Sequence, residues 1–262
     1  MDEWTNKMDL GAQVDAIYTD FAKAFDTVPH RRLLCKLKSY NINDQLIAWI
    51  NNFLCDRKQR IGVNGEFSTW SEVLSGIPQG SILGPLLFLI YINDLPDICT
   101  QQDASTKIYL YADDAKIFKV VNQTSDQADL QAVMNSVKNW SDEWLLKLNA
   151  DKCKTVSYYL KNSLSTQYHI THDNNTHILD QLNVINDLGV IFDSNLSFKD
   201  HITHKINKAY SILGIIKRNF IYMDEFLNWL TILILLLEET NISFPITDFT
   251  MIYVSTVFLH VL

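Results

Sequence analysis

The sequence predicts a mixed α/β (α+β) fold, an antiparallel sheet backed by helices, and three features carry that expectation. A short run rich in β-branched and aromatic residues, 14–19, ends on an acid, Asp20. Two more such runs, 107–111 and 115–121, bracket the adjacent carboxylates Asp113 and Asp114, so that a hairpin would carry the acids at its turn. Around these runs lie segments of helical length with apolar residues at helical spacing, among them 29–40, 44–54, 81–95 and 125–147. The chain has 262 residues, 47% hydrophobic and 20% charged, which are globular values and leave room for one large or two modest domains.

In chain order, 14–19 is a strand. Helix 29–40 opens on Pro29, whose fixed φ suits a first turn, and helix 44–54 is capped by Asn43. Residues 60–63 and 68–74 form a hairpin about Asn64-Gly65, a dipeptide that tolerates the positive φ of a tight turn. The Gly- and Pro-dense stretch from Gly76 to Pro85 is a tight loop, and Ser81 caps the apolar helix 81–95. The acid-bearing hairpin follows, then the long amphipathic helix 125–147 and short strands at 155–160, 168–171 and 190–192. A last helix, 199–218, places His201, His204 and Lys205 on its polar side, with both histidines solvated. Two apolar runs, 226–237 and 249–262, are each shorter than the roughly 18–20 residues that span a bilayer, so no membrane partner is expected.

Two adjacent buried carboxylates are costly unless a cation compensates them. Their hard oxygens suit Mg²⁺, which keeps several waters and is usually shared with substrate phosphates. An acid ending one strand and an acid pair on a neighbouring hairpin can share two metal ions, the arrangement that activates an attacking hydroxyl and stabilises the leaving oxygen of an in-line displacement. Each acid taken singly has a plainer reading. Asp-Asp is common in solvated turns, and Asp20 could simply end its strand or cap the helix near Pro29.

The net charge is −8, but the imbalance is local. All 22 lysines and arginines lie at or before Arg218, where they face 25 acids, a net charge of −3. Affinity for a phosphate backbone should therefore be modest. Candidate contacts are Arg31, Arg32, Lys36 and Lys38, and then Arg57, Lys58 and Arg60, although such clusters are more often solvated faces. The four cysteines are far apart with no histidine at ligand spacing, which argues against zinc and for free thiols in a reducing, intracellular setting. The first 13 residues are polar, so no signal peptide is expected.

Three ordered segments now carry a resemblance. Asp20-Phe21-Ala22-Lys23-Ala24-Phe25-Asp26-Thr27-Val28, the loop from Gly76 to Pro85 with its continuation to Leu95, and Tyr111-Ala112-Asp113-Asp114 resemble the first three palm motifs of the reverse transcriptase domain of non-LTR retrotransposons, LINE-type elements of the Jockey and CR1 kind. The stretch from Leu146 to Thr155 resembles the fourth, and residues 188–198 resemble the lead into primer grip and thumb. The likeness covers about residues 10–218. It implies a polymerase palm over 1–192, the start of a thumb-like helical region over 193–220, and a divergent apolar tail over 221–262. Only 19 residues precede Asp20, so the fingers are expected to be largely missing and the chain to be truncated.

The resemblance also implies roles. Asp20, Asp113 and Asp114 would hold two Mg²⁺ ions. Phe25 would lie under the sugar and exclude a 2′-hydroxyl, favouring deoxynucleotides. Gln79 and Gly80 would meet the incoming nucleotide and template, and the backbone amides of Lys23 and Ala24 the triphosphate. Lys152 would protonate the leaving pyrophosphate, with Lys154 as competitor and a solvated turn lysine as the plain alternative. The implied function is RNA-directed DNA synthesis, adding dNTPs to a DNA primer on an RNA template, with no specific protein partner. Because fingers and thumb are incomplete, the chain by itself is expected to have little or no activity, and the alternative is a catalytically inactive folded relic.

Overall fold

The computed structural model describes residues 2–161, 163–172 and 175–219, in two compact units, Met1–Asn183 and Val184–Leu262. The first unit opens with a helix that the polar N-terminus did not announce. Helix α1 (Asp2–Asp9) sets Trp4 and Met8 one turn apart, and both are buried. Strand β1 (Gln13–Thr19) is buried along almost its whole length because it becomes a central strand. Three helices follow: the single turn α2 (Ala24–Thr27), α3 (His30–Ser39), and α4 (Asp44–Leu54). The last is capped by Asn43, whose side chain accepts from the Gln45 amide at 2.8 Å. Asp20 caps none of these, since Pro29 is the residue that opens α3.

The expected hairpin forms as two short nested ladders. Strand β2 (Lys58–Gln59) pairs with β5 (Ser71–Glu72), and β3 (Gly62–Val63) pairs with β4 (Glu66–Phe67). Asn64 and Gly65 both take positive φ, 51° and 88°, as a tight hairpin turn requires.

The helix expected over 81–95 is shorter at both ends, α5 (Leu83–Ile92), and a further helix that was not expected, α6 (Leu95–Gln102), follows the turn at Asn93-Asp94. Pro96 explains the break: it has no N–H to give the Ile92 carbonyl, yet it is well suited to the first turn of a new helix. By length and hydropathy Leu83–Gln102 could cross a membrane. Split into 10 and 8 residues, neither half reaches the roughly 20 that a span needs.

Lys36, expected among the surface phosphate contacts, sits at this break instead. Its ammonium lies 2.5 Å from Asp94 Oδ1 and donates to the Tyr91 carbonyl, with the Trp144 ring centroid 3.8 Å away. Burial drives its pKa down and Asp94 pulls it back up, with burial prevailing. The pair ties α3 to the α5–α6 turn. Asp94 also accepts from the Trp140 indole at 3.2 Å.

Strands β6 (Lys107–Tyr111) and β7 (Asp114–Val121) form the acid-bearing hairpin. Helix α7 (Thr124–Trp144) is opened by a reciprocal cap between Gln123 and Asp126, and β8 (Lys154–Tyr158) returns to the sheet. Strands β9 (His169–His172) and β10 (Asn175–Ile178) form a separate hairpin, and β11 (Asp180–Leu182) closes the sheet edge. The five-stranded order is β11-β8-β1-β7-β6, antiparallel except for the β11–β8 pair.

Strand alternation gives the sheet two faces. Ile17, Ala115 and Ile117 point into the main core, which holds Leu130, Val133, Met134, Val137 and Trp140 from one stripe of α7. Truncating a buried ring such as Trp140 to Ala would cost about 3–5 kcal/mol. The opposite face is covered by α1, where Trp4 meets Phe118 at 4.9 Å and Tyr158 at 5.0 Å.

In the second unit, β12 (Val184–Asp187) and β13 (Val190–Asp193) form a hairpin, followed by α8 (Lys199–Asn219). His201, expected to be solvated, is buried instead. Its Nδ1 accepts from the Ile191 amide at 3.2 Å, while Nε2 has no partner among the described residues. It falls on the side of α8 that packs on β13, so of the residues read as one polar side, His201 is the one that turns inward. The runs 226–237 and 249–262 lie outside the described residues.

Candidate active site

Strand pairing decides where the acids meet. Thr19 stands opposite Ala115, and its hydroxyl donates to the Ala115 carbonyl at 3.0 Å. Asp20 and Asp114 are each one step beyond this pair, at the same end of adjacent strands. Ile17 and Phe21 both belong to the core, so alternation assigns Asp20 to the opposite face, and Asp114 follows Ala115 in the same way. Asp113 lies in the two-residue turn closed by Tyr111 and Asp114. Its neighbour Ala112 has φ of 52°, a left-handed conformation that costs a non-glycine residue roughly 1–2 kcal/mol.

The Asp20 backbone is pinned. Its carbonyl accepts from the Asn149 amide at 2.8 Å, and its own amide points at Cys153 Sγ at 3.5 Å. Burial pushes the Cys153 thiol up to about 11, so it stays protonated and packs as a small apolar group. Lys152 Nζ lies 3.7 Å from Asp20 Oδ2 with the side chain 66% exposed. Lys154 is held elsewhere, 2.7 Å from Asp180 and hydrogen-bonded to the Asp151 carbonyl. Of the two candidate lysines, Lys152 is the one beside Asp20. Among the described residues no three carboxylate, histidine or cysteine side chains are gathered into a metal-holding cluster. Asp20, Asp113 and Asp114 thus share a strand end without forming a closed cage.

The glycine-rich loop docks on the turn that follows Asp20. Gly76 packs flat on Asp26, where an added Cβ would come within 2.5 Å of the Asp26 carbonyl oxygen, and its φ of 85° also calls for glycine. The Gly76 amide donates to the Val28 carbonyl at 2.9 Å, and the Ile77 amide donates to Phe25 at 2.8 Å. The Gly76 carbonyl accepts twice, from His30 Nε2 at 2.8 Å and from the Arg57 guanidinium at 2.9 Å. Gln79 donates to Asp26 Oδ1 at 2.9 Å. A cleft of about 620 Å³ opens beside this junction, lined by Lys23, Asp26, Arg57, Glu72 and Gln79 among others.

The remaining expected residues fall around the same junction. Lys23 takes a left-handed conformation, φ 50°, at the start of α2. The Ala24 side chain is buried, so only its backbone can serve a ligand. Phe25 is half-buried, its ring stacked on Phe88 at 4.4 Å. Gly80 has φ of 78° and open space around it, so its need for glycine is conformational. Ser81 accepts from the Gly84 amide at 3.0 Å and donates to Pro78 at 2.7 Å, which turns the loop into α5. The supporting roles of His30, Arg57 and Asn149 were not read from sequence. Arg57 was grouped with possible phosphate contacts, and nothing local distinguishes it from a solvated arginine.

Comparison with known proteins agrees with this architecture. The family described as "Reverse transcriptase (RNA-dependent DNA polymerase)" matches residues 9–215. The "RNA-directed DNA polymerase from mobile element jockey" of Drosophila funebris is 32% identical over 190 residues, covering 71% of this chain and 20% of that protein. The protein of the same name from Drosophila melanogaster is 28% identical over 197 residues, covering 74% and 21%. The "Probable RNA-directed DNA polymerase from transposon X-element" of Drosophila melanogaster is 27% identical over 208 residues, covering 76% and 22%. The chain spans about a fifth of the length of these curated relatives. With a paired strand end bearing the acids, a glycine-rich loop docked beside them, and a match that runs through all of these segments, the chain belongs to the reverse transcriptase (RNA-dependent DNA polymerase) family, among relatives from non-LTR retrotransposons.

Proposed function

We propose that this chain carries the palm of an RNA-directed DNA polymerase that adds deoxynucleotides to the 3′-hydroxyl of a DNA primer on an RNA template. The observation that carries this reading is the β1–β7 pairing, which sets Asp20 at the same strand end as Asp113 and Asp114 although they are 93 and 94 residues apart in sequence. The donor set fits Mg²⁺: hard carboxylate oxygens, few in number, with room for water and substrate phosphates. Asp20 and Asp113, with Asp114 in support, are the residues to hold two such ions, whose chemistry when bound is activation of an attacking hydroxyl and stabilisation of a leaving oxygen.

The chain's own side chains supply the rest. Lys152, beside Asp20, donates a proton to the departing pyrophosphate. The left-handed turn at Lys23 and the helical start at Ala24 present successive amides to the triphosphate, a concave arrangement that suits anions. Phe25, braced by Phe88, closes the space that a 2′-hydroxyl would need. Gln79 and Gly80 face nucleotide and template. The near-neutral charge of the first 218 residues contributes little backbone affinity, so turnover by the chain alone should be slow.

The test is incorporation of a single deoxynucleotide on an RNA-templated DNA primer, with protein in excess and Mg²⁺ present. Slow addition that disappears in Asp113→Asn supports the reading. Addition that survives Asp113→Asn, or none at all from a folded protein that holds the primer–template, overturns it. Phe25→Val adds the sugar test, since the ribonucleotide share should rise.

A further inference from the structure

The hairpin β2–β5 is the least covered part of the first unit. Phe67 and Trp70 are 61% and 59% exposed, and the Arg60 guanidinium carbon lies 4.0 Å from the Phe67 ring centroid and 4.6 Å from that of Trp70. The Phe67 ring is held where it lies. It rests against Gly62, its cross-strand partner, where an added Cβ would come within 2.9 Å of a ring carbon. A guanidinium thus lies over two aromatic rings, and both residues remain largely exposed to solvent. Among the described residues Arg60 makes no ion pair, so its charge is available to a ligand.

From this arrangement we infer that Arg60, Phe67 and Trp70 form a stacking platform for single-stranded nucleic acid. The occupant follows from the chemistry. Open aromatic faces recognise bases only when those bases are unstacked, and a guanidinium among them adds attraction for phosphate and for the base faces. A duplex offers neither unpaired bases nor room for the rings. A purely apolar partner would leave the Arg60 charge uncompensated. Position agrees as well: Arg57, Gln59 and Glu72 at the root of the hairpin line the same cleft as Lys23 and Gln79. Only the identity of the strand rests on the polymerase reading, which makes it the unpaired template about to be copied.

The test uses the 262-residue chain with EDTA present, so that metal-dependent chemistry does not enter. Binding of a labelled single-stranded RNA of about 12 nucleotides, within the usual site size of such modules, is followed by anisotropy and compared with a blunt duplex of the same sequence. The expectation is that Trp70→Ala and Phe67→Ala each weaken single-strand binding about five- to a hundredfold and leave duplex binding unchanged. Trp70→Phe, which keeps a ring, should retain affinity within about threefold while reducing the nucleic-acid-induced quenching of tryptophan emission. Arg60→Ala should flatten the salt dependence by about 0.7 in log–log slope, one phosphate contact on a single strand. Wild-type affinity in both alanine variants, or equal losses on single strand and duplex, overturns the inference. A chain that incorporates nucleotides but fails this test refutes the platform alone, and the converse result refutes the polymerase reading alone.

Discussion

Around Gly76 the chain closes on itself. The loop is bonded to Val28, Phe25, His30, Arg57 and Asp26, and its glycine is wedged against backbone. Around Asp20 the contrast is plain. Backbone pairing brings three acids to one strand end, yet their side chains are not drawn into a cluster, and the lysine beside Asp20, Lys152, is exposed and 3.7 Å away. The first region is preorganised by the protein's own contacts, which is what its proposed role in setting a nucleotide's position would require. The second holds its carboxylates at a strand end without gathering them, and Asp20 meets only a long contact to an exposed lysine. Stability and function should therefore separate between the two.

The largest stability effect belongs to the closed side. Gly76→Ala forces a Cβ onto the Asp26 backbone and a positive φ on alanine, so we expect a loss of about 2–4 kcal/mol in denaturant unfolding. A loss under roughly 0.5 kcal/mol would mean that the junction is slack and the contrast false. Arg57→Ala removes one of two donors to the Gly76 carbonyl and its bond to Leu54, and should cost about 1–2 kcal/mol. If the loss were only to the packing of its stem, Arg57→Met would restore stability; the account expects that it does not.

A pH effect is expected outside both regions and serves as a reference. Burial holds His201 below the ordinary histidine pKa, helped by the charges of Lys205 and His204. A depressed folded pKa means that the unfolded chain binds more protons below about pH 6.5, so stability falls as pH drops through that value. Protonation also removes the acceptor of the Ile191 amide. Amide exchange at Ile191 should speed up relative to the intrinsic rate between about pH 7.5 and 5.5, and His201→Phe should abolish that change. The smallest stability effect belongs to the open side. Asp113→Asn should alter unfolding by no more than about 0.5 kcal/mol, or stabilise slightly by relieving like charge. A large loss there would assign Asp113 a structural role.

Much of this was legible in sequence. Periodicity located β1, β6, β7 and α7, and Asn64-Gly65 located the hairpin turn, because these signals are local. Motif order placed the acids at strand ends. What could not be read depended on tertiary partners. Lys36 carries no mark of burial, since only the meeting of α3 with the α5–α6 turn supplies Asp94 and the aromatic box around it. His201 was read on a polar side with His204 and Lys205, and only the packing of α8 on β13 buries it. Helix α1 hides two buried residues, Trp4 and Met8, in an otherwise polar segment. Helix α6 went unread because the expected helix stopped at Leu95, before Pro96, and the residues after that proline carry little helical pattern. The choice between Lys152 and Lys154 needed the position of Asp180, a residue more than twenty positions downstream.

The central claim is that Asp20 and the Asp113 turn form one cation site. Fe²⁺ in place of Mg²⁺, with ascorbate and peroxide, generates hydroxyl radicals that cut the backbone beside the bound ion. The account predicts cuts in one sample at both residue 20 and residues 113–114, suppressed by excess Mg²⁺ and lost in Asp113→Asn. Cuts at only one of these strands, or cuts at both that Asp113→Asn leaves unchanged, would contradict it.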